Sequence, residues 1–192
     1  MSDVKDLVSR VAARATAESG PLPPAVSGEE VAAAERALGF RLPALLVSLY
    51  RDVANGGFGP DYQLLPLTGE GRTVLAEYAS ARAESAEEET PYWPAGVLPV
   101  LDWGCGMYAA VDCRGEGGPV LLFDPNPMDD DGAQAWFFDA PSLEGWLETW
   151  LAGRGWYRED ADEDGGPVEG PLRWAEAGAR IAESHRGAVG SA

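Results

Sequence analysis

Residues 97–138 decide the fold and read VLPVLDWGCGMYAAVDCRGEGGPVLLFDPNPMDDDGAQAWFF. Short apolar runs that end at Gly, Pro or Asp are typical of β-strands, and four occur here: residues 97–101, 107–112, 120–123 and 135–138. The connections between them are too short for the crossovers that parallel strands need. The stretch therefore predicts antiparallel hairpins, and an earlier run at residues 62–67 predicts one more strand.

Helical patterns lie on both sides of these strands. Residues 3–18 repeat apolar side chains at helical spacing, Ser27 and Glu30 form a capping box, and Pro43 suits the first turn of a third helix. Further helices are predicted over residues 73–84, from Ser142 to Leu151, and from Pro171 onward. Together these elements predict an α+β fold, with a mostly antiparallel or mixed sheet of about five to six strands flanked by helices.

Several short motifs follow one another in a fixed order across this frame. They are Leu38-Gly39, Leu42-Pro43, Asn55-Gly56-Gly57, Gly59-Pro60, Leu98-Pro99-Val100, Asp102-Trp103-Gly104 and the helix start Ser142-Leu143-Glu144-Gly145-Trp146. In this order they resemble the SUKH superfamily, which includes yeast cell-wall assembly regulators and many bacterial immunity proteins. The resemblance spans residues 27–152 and implies a SUKH-like sheet with helices packed around it.

The resemblance divides the chain into three parts. Residues 1–26 are predicted to be an N-terminal helix and a Pro-rich linker, and residues 27–152 the SUKH-like domain. Residues 153–192 are predicted to be an acidic loop and a C-terminal helix that packs on the domain.

Charge restricts the class of partner. The chain has 32 Asp and Glu against 14 Lys and Arg, a formal net charge of −18. Such a field repels phosphate backbones and anionic lipid headgroups, so nucleic acid and membranes are excluded and a basic protein or a divalent cation is favoured. No stretch approaches the roughly 18 apolar residues of a membrane span, and no signal-peptide pattern opens the chain. We therefore expect a cytoplasmic protein in which Cys105 and Cys113 are free thiols.

The sequence offers little that could support catalysis or metal binding. Its only histidine is His185, and the common nucleophile, nucleotide and zinc motifs are absent. We expect no enzyme activity and no cofactor. Residues 160–165 match the first half of a calcium loop, but Pro171 stands where such a loop needs a bidentate Glu. A solvated acidic loop is therefore favoured, and no metal site is predicted.

Two groups of residues allow either a packing or a functional interpretation. Cys105 and Cys113 bracket a predicted strand, which favours small buried hydrophobes over a reactive thiol. The helix that begins at Leu143 places Trp146 and Trp150 on one face, where a place in the core is favoured over a binding hot spot.

The resemblance implies a role in protein binding. Bacterial members of the superfamily mostly resemble antitoxins that bind and block one polymorphic toxin, often a nuclease or a deaminase. This favours a cytoplasmic immunity protein. The alternative is a regulatory or scaffold module of a cell-wall or signalling pathway, as in the fungal relatives, and an enzyme or calcium protein is more distant.

The candidate binding residues come from where the negative charge lies. Acidic residues concentrate in predicted loops at residues 84–89, 124–131 and 159–164. A nuclease presents a basic cleft to its substrate, and an acidic partner can occupy that cleft. The predicted partner-binding residues are Glu87, Glu88, Glu89, Asp124, Asp129, Asp130 and Asp131.

Overall fold

The structure is a computed structural model that describes residues 4–115, 117–154 and 171–189. The helices are α1 (Val4–Ser19), α2 (Gly28–Leu38), α3 (Ala44–Asp52), α4 (Val74–Glu87), α5 (Leu143–Leu151) and α6 (Ala177–Val189). The strands are β1 (Val97–Gly104), β2 (Met107–Asp112), β3 (Val120–Phe123), β4 (Trp136–Ala140) and β5 (Leu172–Arg173). None of the helices in these ranges is long and apolar enough to cross a bilayer.

The five strands form one antiparallel sheet in the order β1-β2-β3-β4-β5. Each strand pairs with the next one along the chain; Tyr108, for example, lies opposite Phe123, which in turn lies opposite Trp136. The short connections favour antiparallel pairing of consecutive strands, because a parallel pair would need a long crossover connection. The predicted α+β fold with a mostly antiparallel sheet is confirmed.

One predicted strand is wrong. Residues 62–67 form no strand, although Leu65 donates one backbone hydrogen bond of 2.9 Å to the carbonyl of Val100 in β1. Gln63 has a φ of 66°, outside the extended region, and Pro66 has no N–H to offer a ladder. The fifth strand is instead β5, a two-residue pairing with β4 near the C-terminus.

Capping signals place several helices where the sequence predicts them. Ser27 accepts a hydrogen bond from the Glu30 amide while the Glu30 side chain accepts one from the Ser27 amide, so the predicted capping box is present. Ser142 caps α5 in the same way, through the amide of Gly145. The helix predicted over residues 73–84 begins as expected after Thr73 but extends to Glu87.

The sheet is buried on both faces. One face packs against α1, α2, α3 and α5 in a large apolar cluster, here called the first core, to which the sheet contributes Leu98, Val100, Val111 and Leu122. The other face carries the second core, where Trp93, Phe123 and Trp136 pack against Trp174 and Ile181. Alternation along each strand produces this division, since neighbouring residues point to opposite faces.

The C-terminal helix covers the second core, but it begins later than the sequence predicts. Leu172 and Arg173 pair with β4, so the helix starts at Ala177 and not at Pro171. The periodicity of the sequence also predicts Trp174, Ala177, Ile181 and Ala182 on the buried face; the first three are buried, but Ala182 is exposed and Ser184 is buried.

A buried ion pair fixes α6 to the sheet. Arg180 donates two hydrogen bonds of 2.8 Å to the carboxylate of Asp112 at the end of β2, and Asp112 is 3% exposed. The hydroxyl of Ser184 accepts a hydrogen bond from the Ala95 amide at 2.7 Å. Polar and apolar contacts thus hold α6 in one orientation on the sheet.

Candidate functional site

The loop between β3 and β4 carries four of the predicted binding residues, and its own hydrogen bonds order it. The carboxylate of Asp124 accepts bonds from the backbone and side-chain nitrogens of Asn126, at 2.9 and 2.7 Å. The carboxylate of Asp131 accepts a bond from the Ala133 amide and so caps the short 3-10 turn Gly132–Ala135. The side chains of Asp124 and Asp131 therefore stabilise the conformation of the loop.

Asp129 and Asp130 lie at the tip of this loop and are exposed. Within the part of the chain that the structure describes, neither carboxylate has a hydrogen-bond or ion-pair partner. Their charges are therefore available to a second molecule on a loop whose backbone is already fixed.

The second predicted segment lies at the end of α4. Glu87 is the last helical residue, Glu88 is the C-cap in an extended conformation, and Glu89 follows; all three are exposed. The chain then turns back, because the hydroxyl of Ser85 accepts hydrogen bonds of 2.8 Å from the amides of both Tyr92 and Trp93. This contact fixes the direction in which the helix end and its carboxylates point.

The two acidic segments meet at Tyr92. Gly132, directly after Asp131, is packed so tightly that a Cβ there would lie 2.4 Å from the Pro91 carbonyl oxygen and 2.7 Å from the Tyr92 Cα. From chain geometry, the Cα atoms of Glu89 and Asp131 are therefore within about 17 Å of each other. The structure thus brings together two segments that lie about forty residues apart in the sequence.

The base of this site is aromatic: the half-buried Tyr92 lies on the buried Phe123 and Trp136. The Tyr92 ring stacks on Phe123 with centroids 5.7 Å apart, and the indole N–H of Trp136 donates a bond of 2.7 Å to the Tyr92 carbonyl. Burial raises the pKa of Tyr92, and the nearby charges of Glu84 and Glu88 raise it further. The acidic segments are therefore mounted on the second core and not on a free loop.

We call this surface the acidic face and define it by its six exposed carboxylates: Glu87, Glu88, Glu89, Asp129, Asp130 and Asp131. Neither residues 83–93 nor residues 124–136 contain a Lys or Arg. Arg82 and Arg173 lie beside these segments, where they donate hydrogen bonds to the carbonyls of Trp93 and Gln134. No ion pair among the described residues includes any of the six carboxylates, so a complementary surface would carry positive charge.

The other residues considered from sequence do not form a chemical site. His185 is exposed on α6. No group of His, Cys, Asp and Glu within residues 4–115, 117–154 and 171–189 could hold a metal ion. The half calcium loop at residues 160–165 and the acidic segment at residues 159–164 lie outside the described residues. The buried Trp146 and Trp150 belong to the first core, which confirms the packing interpretation of α5.

The two cysteines are both free but differ in environment. Cys105 is exposed, so its predicted burial is wrong: it occupies the β1–β2 turn with a φ of 53°, followed by Gly106 with a φ of 79°. Tight hairpin turns favour two such residues, and they place side chains outside the sheet. Cys113 is half-buried, and burial raises the pKa of its thiol to about 12, which keeps it protonated and unreactive.

Sequence reasoning missed two carboxylates that pack inside the fold, the buried Asp112 and the partly buried Asp139. Asp112 pairs with Arg180, as described above, and Asp139 in β4 accepts a hydrogen bond of 2.9 Å from the indole of Trp146. Burial raises the pKa of Asp139 to about 6. The only sequence signal for the first pair is Arg180 itself, a charge between the apolar positions Ala177 and Ile181 of one helix face.

An open antiparallel meander with one face against a helical layer defines an α+β domain. The model of the SMI1/KNR4 family (SUKH-1) matches residues 25–149. The chain belongs to this family. The match begins after α1 and ends before β5 and α6. A comparison with curated proteins found no match.

Proposed function

We propose that this SUKH-type module is a cytoplasmic immunity protein that binds a cognate toxin of nuclease or deaminase type and blocks it by occlusion, without catalysing a reaction. The observation that carries the proposal is the convergence of two exposed acidic segments on the half-buried Tyr92. Membership of the SMI1/KNR4 family supports a binding module, and the acidic face supports a basic partner.

The mechanism follows from charge and order. A nuclease holds its substrate in a basic cleft, so the six carboxylates of the acidic face can occupy that cleft and exclude the nucleic acid. The hydrogen bonds of Asp124, Asp131 and Ser85 already fix both segments in the free protein. Less conformational entropy is therefore lost on binding, which leaves more of the interaction free energy for affinity.

The first test is to identify the partner. The tagged protein is purified from its own host, and the proteins that accompany it are identified. A basic toxin encoded in an adjoining reading frame is the expected result. A kinase-like or cell-wall assembly partner would instead support the alternative function, a regulatory or scaffold module, and contradict the immunity role.

The second test neutralises the acidic face. Asp129→Asn, Asp130→Asn and Asp131→Asn are combined in one variant, and Glu87→Gln, Glu88→Gln and Glu89→Gln in another. Asn at residue 131 keeps an oxygen for the Ala133 amide, so the turn is retained. We expect each variant to slow association with the toxin about tenfold at low salt and to weaken protection of cells that express the toxin.

The matched control removes the same number of charges elsewhere. Asp52, Asp61 and Glu70 are exposed and lie in or near the segment between α3 and α4. The combined variant Asp52→Asn, Asp61→Asn and Glu70→Gln should keep the wild-type association rate. Equal slowing in the control would show that net charge acts and not this face, and unchanged binding in both acidic-face variants would move the partner to another surface.

A further inference from the structure

A groove of about 410 Å³ lies between α2 and α3, apart from the acidic face. Val31, Leu42 and Val47 line it, and the first two are 6% exposed and belong to the first core. Arg41 and Arg51 lie at its edges and are exposed. The groove thus combines an apolar floor with a cationic rim.

The charge of this groove is opposite to that of the chain. Glu35 is its single lining carboxylate, and it is already engaged: it accepts bonds from the Leu42 amide at 3.0 Å and from Arg41 at 2.5 Å. Arg51 forms no ion pair with any residue in the described ranges. One carboxylate therefore faces two guanidinium groups, in a chain whose net charge is −18.

We propose that the groove between α2 and α3 docks an acidic amphipathic helix of a partner protein, with its apolar side chains on Val31, Leu42 and Val47 and its carboxylates on Arg51 and Arg41. Charge complementarity favours this partner over a basic one. The elements that form the groove are helices, whose backbone groups bond internally, so the groove cannot accept an added strand and suits helix-in-groove docking.

The groove does not depend on the proposed toxin site. It belongs to the helices on the first core, whereas the acidic face borders the second core on the opposite face of the sheet. An acidic partner and a basic partner could therefore be bound at the same time, and a variant in one surface leaves the other intact.

The test uses a synthetic helical peptide of about 16 residues, with Leu at i, i+3, i+4 and i+7 and Glu on both flanks, because much shorter helices are marginal in water. A second peptide has Lys at every Glu. Binding to the full chain is measured by fluorescence anisotropy and located by changes in the backbone amide NMR spectrum. We expect the Glu peptide to shift signals of α2 and α3, and the Lys peptide to shift signals near Tyr92 and not in the groove.

Charge reversal separates the proposed site from a general surface effect. Arg51→Glu should weaken binding of the Glu peptide at least tenfold. Arg36→Glu should not: Arg36 is an exposed residue of α2 outside the groove lining and makes the same change of charge. Val47→Asp, which places a charge on the half-buried floor, should also abolish binding.

Three results would overturn the proposal. The first is no binding of the Glu peptide at concentrations up to about 1 mM, which corresponds to a binding free energy near −4 kcal/mol. The second is equal binding by the Arg51→Glu and Arg36→Glu variants. The third is a dimer in sedimentation experiments that Val47→Asp dissociates, since the groove would then be occupied by a second copy of the chain.

Discussion

Asp139 is a carboxylate in a position that disfavours its charge. Burial raises its pKa from 3.8 to about 6, and the hydrogen bond from the Trp146 indole offsets only part of this effect. Between about pH 4 and pH 6 the folded state therefore binds a proton that the unfolded state releases. The contribution of Asp139 to stability is complete at low pH and is lost as the pH rises through about 6.

Asp139→Asn should remove this pH dependence. Asn is neutral and keeps an oxygen for the Trp146 indole, so the variant should match the wild type near pH 4. At pH 7 it should be more stable by roughly 1–3 kcal/mol. Urea unfolding between pH 4 and pH 7.5 measures the free energy of unfolding of the variant and of the wild type. The contributions of all other carboxylates cancel in the difference between the two proteins.

The exposed Asp129 supplies the control for Asp139. Asp129→Asn makes the same change at an exposed site and should leave the free energy of unfolding nearly unchanged. A difference between Asp139→Asn and the wild type that stays constant from pH 4 to pH 7.5 would mean that Asp139 has an ordinary pKa in the folded protein.

Among the elements, α6 depends most on a single polar contact. Removing one partner of a buried ion pair leaves the other charge without compensation, which typically costs about 3–5 kcal/mol. Arg180→Met should therefore lower the free energy of unfolding by about that amount, since Asp112 is almost fully buried. Urea unfolding, monitored by tryptophan fluorescence because Trp174 and Trp136 lie beneath α6, measures the loss.

Two further variants make this prediction specific. Combining Arg180→Met with Asp112→Asn should recover much of the stability, because the unpaired charge is gone. Arg114, in the turn after β2, forms a second ion pair with Glu183 of α6, at 2.9 Å, with side chains 40% and 52% exposed. Glu183→Gln should cost less than about 1 kcal/mol, as exposed pairs do, and an equal cost for Glu183→Gln and Arg180→Met would contradict the role of burial.

How far the sequence predicts each element depends on whether the signal is local. Ser27, Glu30 and Ser142 cap helices through bonds to residues only three positions away, so their effect is visible in the sequence. The run at residues 62–67 has the composition of a strand, but its conformation depends on contacts with distant residues. The Leu65 amide donates to the Val100 carbonyl, the Gln63 side chain donates to the Ser19 hydroxyl, and Gln63 adopts a positive φ that its residue type does not suggest.

On the scale of the whole molecule, the candidate site also combines features that local sequence predicts with features that depend on distant contacts. The acidic segments could be predicted from composition alone, because clustered Asp and Glu favour solvent. Their convergence could not, since it depends on the packing of Gly132 against Tyr92 across the fold. The groove between α2 and α3 was likewise not predictable, because its cationic rim comes from Arg41 and Arg51 on different segments.

Binding through the acidic face should depend on salt. Between 0.1 and 1 M ionic strength the Debye length falls from about 10 Å to about 3 Å, which screens long-range attraction. The association rate with the proposed toxin should therefore fall steeply over this range while the dissociation rate changes less. Stopped-flow measurements with the wild type and with the Asp129, Asp130 and Asp131 triple variant test this, and the variant should show a shallower slope. Identical slopes would exclude steering by this loop.

The position of α6 in the chain also has a consequence during synthesis. The sheet up to Ala140 needs only neighbouring hairpins, whereas the helix that covers its second face begins at Ala177. At about 5–20 residues per second, a ribosome takes a few seconds to translate the chain between these points. During that interval the nascent protein presents Trp93, Phe123 and Trp136 uncovered, a surface on which chaperones or neighbouring nascent chains would act before any mature partner does.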